Sequence, residues 1–216
     1  MEGVVVRQFT NICVFCGSSS GKDRDFLQAA ITLGRVLAER KITLVFGGGS
    51  LGLMGGVSIA AHVGGSQVLG IIPKAFSDRN IAGKTVGKEL IVSTMQERMS
   101  IMLEKFDAFI ALPGGFGTLE EVFQIISWAQ LNIHNKPIGL LNVNNFFDGL
   151  LSFLDHAVEQ KFIPPSARRI LVSSSTADDL INKLQASFHE PDPEMAQLNW
   201  SEQSTKKRRF DLSLCL

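Results

Sequence analysis

Apolar runs that stop on glycine or proline constrain this chain more than any other feature. Ile12-Cys13-Val14-Phe15-Cys16 stops at Gly17-Ser18-Ser19-Ser20, and the run from Ile42 to Phe46 stops at Gly47-Gly48-Gly49. Val68 to Ile72 is closed by Pro73, and Ala108 to Leu112 by Pro113. None alternates apolar with polar, so each reads as a strand buried on both faces. Between them lie segments with helical spacing. Phe26 to Arg40 carries Leu27, Ala30, Ile31, Leu33, Val36 and Leu37, and a small-residue helix runs through Val57 to Ala61. Residues 74–90 are polar and contain glycine, and read as loop. Helices follow over Met95 to Phe106 and Thr118 to Leu131, then a strand over Ile138 to Val143 and a helix over Phe146 to Gln160. A last strand, Ile170 to Val172, precedes a helix from Ala177 to Phe188, capped by Ser174, Ser175 or Thr176. Buried strands separated by helices predict an α/β fold: a doubly wound parallel sheet with helices on both faces.

A chain of 216 residues can fill one large core, and two full domains would be cramped. Residues 1–10 read as a flexible start, 11–188 as a single domain, and 189–216 as a disordered tail carrying Pro191, Pro193 and Lys206-Lys207-Arg208-Arg209. Twenty-one basic against 21 acidic residues give a formal charge of zero, which argues against a nucleic-acid partner held by bulk charge. No apolar run is long enough for a membrane span, and the first residues lack the basic-then-apolar pattern of a signal peptide. Three cysteines suit a reducing compartment, so the expected location is cytoplasmic. The basic run near the end admits a nuclear signal, but a solubilising tail is the favoured reading.

Ligands of such sheets bind beyond the strand C-termini. Three small-residue loops meet there: Gly17-Ser18-Ser19, Gly47-Gly48-Gly49 and Pro113-Gly114-Gly115. Gly47-x-Gly49-x-x-Gly52 matches a dinucleotide fingerprint, but no carboxylate ends the next strand to hold a ribose. A phosphate contact and plain turn packing remain as its two readings. Leu112-Pro113-Gly114-Gly115-Phe116-Gly117-Thr118-Leu119-Glu120-Glu121 is more telling. Its glycines leave backbone N–H groups open at a helix N-terminus and Thr118 adds a hydroxyl, which together make a phosphate cradle. At most one of Glu120 and Glu121 can point into the cleft, since adjacent helical residues face different ways. Arg98 can reach the cleft as an anion clamp or acid, although spacing alone favours a solvated surface arginine. Cys13-x-x-Cys16 has no second pair to complete a zinc site and reads as buried structural thiols. His62, His134, His156 and His189 form no metal-binding pair by spacing.

Pro113-Gly114-Gly115-Phe116-Gly117-Thr118-x-x-Glu121 resembles the P-G-G-x-G-T-x-x-E signature of the LONELY GUY (LOG) family. Its members are cytokinin riboside monophosphate phosphoribohydrolases, often mislabelled lysine decarboxylases. The likeness extends to Ile12–Ser18, to Gly47-Gly48-Gly49-Ser50-Leu51-Gly52-Leu53-Met54-Gly55, to Trp128-Ala129-Gln130-Leu131 and to Gly139–Val143, covering about residues 11–188, and is strongest to plant members. It implies a Rossmann-like homodimer that needs no metal and no cofactor. The implied reaction hydrolyses the N-glycosidic bond of N6-modified adenosine monophosphates, a small-molecule nucleotide substrate, to free base and ribose 5-phosphate.

The resemblance assigns catalysis to Arg98 and Glu121. It assigns substrate binding to Asn80, Met99, Gly114, Gly115, Phe116, Gly117, Thr118, Leu119, Glu120 and Ser127. Three of these depart from the family pattern: Asn80 stands where Glu is usual, Met99 where Lys is usual, and Ser127 where Thr is common. Gln96 also replaces a usual His. Three readings stay open: an active hydrolase, a weak or inactive nucleotide-binding paralogue, and a nicotinamide-dependent enzyme supported only by Gly47-x-Gly49-x-x-Gly52.

Overall fold

The computed structural model describes residues 7–78, 83–189, 193–198 and 200. Seven strands form one sheet: β1 (Asn11–Phe15), β2 (Thr43–Phe46), β3 (Val68–Pro73), β4 (Lys88–Val92), β5 (Ala108–Ala111), β6 (Ile138–Leu141) and β7 (Leu171–Ser174). Their order is β4-β3-β2-β1-β5-β6-β7, and every neighbouring pair is parallel. The chain first builds outward from β1 to β4, then returns to lay β5 on the other side of β1. That reversal makes the β1/β5 junction the switch point, where the loops leaving the two strands diverge and open a cleft.

Alternate residues of each strand feed two cores. Ile12, Val14, Leu44, Phe46, Ala108 and Ile110 pack under α1 (Arg24–Glu39), α2 (Gly52–Val63) and α8 (Ala177–Ala186). Cys13, Phe15, Val45, Phe109 and Ala111 pack under α4 (Met95–Lys105), α5 (Phe116–Gln130), α6 (Asp148–Glu159) and α7 (Pro165–Arg168). Continuous apolar strands are therefore required, as the sequence pattern implied.

The structure corrects the reading of residues 74–90 as loop. Lys74–Ser77 is a short helix, α3, and Lys88–Val92 is the edge strand β4. At the sheet edge the helices cover the two faces incompletely, so Lys88, Glu89 and Ile91 stay exposed and only Val92 is buried. The charges of Lys88 and Glu89 that hid β4 in the sequence are those that blunt an exposed edge. The chain also packs before β1. Arg7 donates its backbone N–H to the Gln185 carbonyl at 3.2 Å, and Phe9 is buried in the first core. In the tail, the Trp200 indole N–H donates to the Leu131 carbonyl at 2.9 Å. Lys206 to Arg209 lie outside the described residues.

Two local features predict measurable stability changes. A Cβ placed on Gly34 of α1 would lie 2.4 Å from the Val57 carbonyl oxygen and 2.9 Å from the Ala61 nitrogen. Alanine there gains up to about 1 kcal/mol of helix propensity, yet overpacking against backbone costs about 1–3 kcal/mol. Gly34→Ala is therefore expected to lower the melting temperature. Gly149 of α6 has nothing within 4 Å of such a Cβ, so Gly149→Ala is expected to raise it. Calorimetry of the two variants checks the opposite signs.

His134 is buried, its Nε2 2.9 Å from the Ile125 carbonyl oxygen and its Nδ1 accepting from the Lys136 amide at 3.1 Å. Burial lowers its pKa from 6.5 to about 4. The unfolded chain then binds the proton that the folded one refuses, so stability falls as pH drops through that interval. The loss is on the order of 3 kcal/mol when complete. Denaturant melts between pH 7 and pH 4 should show this slope, flattened in His134→Gln.

Candidate active site

The loops at the switch point are tied together by backbone. The Gly17 N–H donates to the Pro113 carbonyl at 3.0 Å, and the Leu53 N–H to the Gly17 carbonyl at 3.1 Å. A cleft of about 500 Å³ opens above them, within the usual size for a small-molecule site. Its polar side carries Ser18, Arg98, Gly115, Gly117, Thr118, Glu120 and Glu121.

Helix α5 begins here with Gly115 as N-cap and no side-chain cap, so the first amides are left to a ligand or to water. Space around Gly115 and Gly117 is open, and Phe116 is 93% exposed. Gly114 does not line the cleft but buttresses it. A Cβ on it would lie 2.1 Å from Thr118 Oγ1, so only glycine lets the buried threonine sit behind the loop. Amides, hydroxyl and helix dipole converge in a form that suits a phosphate.

Arg98 and Glu121 meet within this cleft. Arg98 stands in the first turn of α4, whose start is fixed by reciprocal caps. The Glu97 N–H donates to Thr94 Oγ1 at 3.0 Å, and the Ser93 N–H to Glu97 Oε2 at 2.7 Å. Arg98 donates through Nε to the Ile71 carbonyl at the end of β3, at 3.0 Å, and through Nη1 to Glu121 Oε1. Both side chains are buried, Arg98 at 7% exposure and Glu121 at 8%. This corrects the solvated-arginine expectation: long-range packing, invisible to spacing, sets the direction of Arg98. Burial raises the Glu121 pKa above the ordinary carboxylate value. The charge of Arg98 and its hydrogen bond oppose that rise, and the charge of Glu120 adds to it.

The glycines after β2 are explained by packing. Gly48 has φ +85°, and a Cβ there would lie 2.1 Å from Ile72 Cγ1. A Cβ on Gly47 would lie 3.0 Å from Arg98 Nη2, so Gly47 leaves room for the guanidinium. Cys13 is fully buried and Cys16 half-buried on the cleft wall. Burial drives both thiols well above their ordinary pKa, and the charge of Glu121 adds to the rise.

Of the other expected binding residues, Gly115, Phe116, Gly117, Thr118 and Glu120 line the cleft. Both glutamates therefore border it, against the expectation of at most one: Glu121 is buried in its wall, and Glu120 stands at its exposed edge. Met99 does not. It is 1% exposed and packs with Phe15, Val45 and Ile71 under the sheet, because one helical step turns it away from Arg98. Leu119 is half-buried against the same core. Ser127 is exposed on α5, about 14 Å along the axis from Thr118. Asn80 lies outside the described residues. The sequence did not single out Met54, Pro73, Phe76 and Met95, which form the apolar side of the cleft. Among the described residues, no three His, Cys, Asp or Glu side chains stand together as a metal site, and no helix is long and apolar enough to cross a membrane.

Among solved structures, the molybdenum cofactor binding protein of Rippkaea orientalis matches 83% of this chain and 97% of its own with a TM-score of 0.62, at 22% identity. A molybdenum cofactor carrier protein of Chlamydomonas reinhardtii matches 83% of this chain and 100% of its own with a TM-score of 0.60, at 19% identity. At such identities the likeness is one of fold. Sequence relatives are far closer. A family model described as "possible lysine decarboxylase" matches residues 54–184. Cytokinin riboside 5'-monophosphate phosphoribohydrolase LOG7 of Arabidopsis thaliana is 53% identical over 90% of this chain and 90% of its own. The Arabidopsis LOG3 enzyme is 54% identical over 85% of this chain and 86% of its own. A probable enzyme of the same name from Oryza sativa subsp. japonica, LOGL2, is 50% identical over 97% of this chain and 86% of its own. With identity of this order over nearly the whole chain, on a sheet whose switch point carries the glycine loop, the chain belongs to the LOG family of cytokinin riboside 5'-monophosphate phosphoribohydrolases.

Proposed function

We propose that this protein hydrolyses the N-glycosidic bond of N6-modified adenosine 5'-monophosphates, releasing free cytokinin base and ribose 5-phosphate. The observation that carries this reading is a buried Glu121–Arg98 pair beside an uncapped α5 N-terminus in one cleft. In this scheme the phosphate sits on the amides of Phe116, Gly117 and Thr118, which places the ribose beside Glu121. The bond between C1′ and the base nitrogen breaks, its electron pair leaves with the base, and positive charge gathers on the ribose. The Glu121 carboxylate stabilises that charge and takes a proton from the water that bonds to C1′. The proton that Glu121 takes from the water ends on the departing base, so Glu121 is restored and substrate plus water balances base plus ribose 5-phosphate.

Arg98 serves by holding Glu121. Its guanidinium opposes the rise in pKa that burial imposes on the carboxylate, and its hydrogen bond aims the carboxylate into the cleft. Glu120 faces the same cleft from the exposed side and is placed to accept from a ribose hydroxyl. The assembly is a homodimer in this reading, supported by exposed Phe123, Phe153 and Phe162 on the α5–α6 side. Light scattering on the purified protein tests it.

The functional test compares a nucleotide with its nucleoside. Base release from N6-isopentenyladenosine monophosphate should exceed release from the dephosphorylated riboside by about 10²-fold or more, because binding at the remote phosphate is used to orient the reacting carbon. Equal rates on the two would remove the phosphate cradle from the account.

A further inference from the structure

We infer that Phe76 and Met95 select the apolar substituent on the base. The inference deepens the phosphoribohydrolase reading and rests on it. The cleft has two unlike sides. One side is charged and hydroxyl-bearing, with Arg98, Glu120, Glu121 and Thr118. The other is formed by Met54, Pro73, Phe76 and Met95, none with a polar side-chain group other than a thioether. Phe76 is 46% exposed and Met95 40% exposed.

Large apolar side chains held open to water on a cleft wall cost free energy unless a ligand covers them. They come from separate elements, the short helix α3 and the first residue of α4, so no single amphipathic helix face accounts for them. With the phosphate fixed at the start of α5 and C1′ at Glu121, the base is the remaining part of the nucleotide, and the apolar wall is the remaining part of the cleft. A purine amino group bearing a branched hydrocarbon covers that wall. An unmodified adenine leaves it wet. The thioethers of Met54 and Met95 adapt to substituents of different shape.

The test uses the full chain in a Glu121→Gln background, so that ligand is not consumed. Calorimetric titration gives Kd for N6-isopentenyladenosine monophosphate and for AMP, before and after adding Phe76→Ser with Met95→Gln. Both positions are on the surface, and circular dichroism confirms the fold of each variant. The preference for the modified nucleotide is expected to fall by roughly tenfold or more, with AMP affinity unchanged within about twofold. Parallel loss of both affinities, or no change in either, overturns the inference. Base release by the unsubstituted protein is measured alongside. Release with an unaltered preference removes the role of Phe76 and Met95 alone, whereas no release and no binding of either nucleotide removes the functional reading and that role with it.

Discussion

Glu121→Gln is expected to lower turnover of N6-isopentenyladenosine monophosphate by on the order of 10²–10³-fold while leaving substrate affinity nearly unchanged. The amide keeps the size of the carboxylate and can still accept from Arg98 Nη1, so the cleft keeps its shape. What disappears is the negative charge facing the ribose as its bond to the base breaks. That charge matters chiefly in the transition state, so the loss belongs in kcat rather than KM. Single-turnover kinetics beside a titration of the same variant separates the two. A parallel rise in KM would place Glu121 in ground-state binding instead.

Arg98→Met should be nearly as damaging, and for a different reason. Without its partner, the buried Glu121 carboxylate keeps the desolvation that raises its pKa and loses the charge and hydrogen bond that hold it down. The carboxyl then stays protonated to higher pH. The acid limb of the pH–rate profile is expected to move upward, with activity at neutral pH reduced by on the order of 10²-fold and partly recovered in alkaline buffer. Folding stability should also fall by about 3–5 kcal/mol at pH values where the unpaired carboxylate must ionise. A profile that keeps its shape and only drops in height would mean that Arg98 does not govern the ionisation of Glu121.

Much of this cleft was legible in the sequence because its frame is local. Each of β1, β2 and β5 is a short apolar run closed by glycine or proline, and the C-terminal ends of parallel strands lie on one edge. That Gly17, Gly47 and Gly114 share one edge followed from the parallel direction of the strands, and their adjacency from the order the structure shows. The glycine loop with Thr118 was legible for the same reason, since a helix N-terminus exposes its amides wherever it occurs. The rest depended on helix rotation and on distant partners. Arg98 and Met99 are neighbours in sequence, yet one reaches the Ile71 carbonyl and Glu121 while the other fills the core beneath Phe15. Only the roll of α4, set by the capping of Glu97 and by its seat on the sheet, decides which is which. Phe76 stands in the polar segment 74–90 that read as loop, and Met95 read only as the first residue of a helix. β4 was missed because an edge strand is half solvated and carries the charges of a loop.

The most direct measurement is simultaneous detection of both products. Purified protein is incubated with N6-isopentenyladenosine monophosphate, and free base and ribose 5-phosphate are quantified by chromatography beside Glu121→Gln. Equal amounts of the two products are expected from the unsubstituted protein, and a near absence of both from the variant. Release of the riboside and inorganic phosphate, or equal product from the two proteins, would contradict the proposed mechanism.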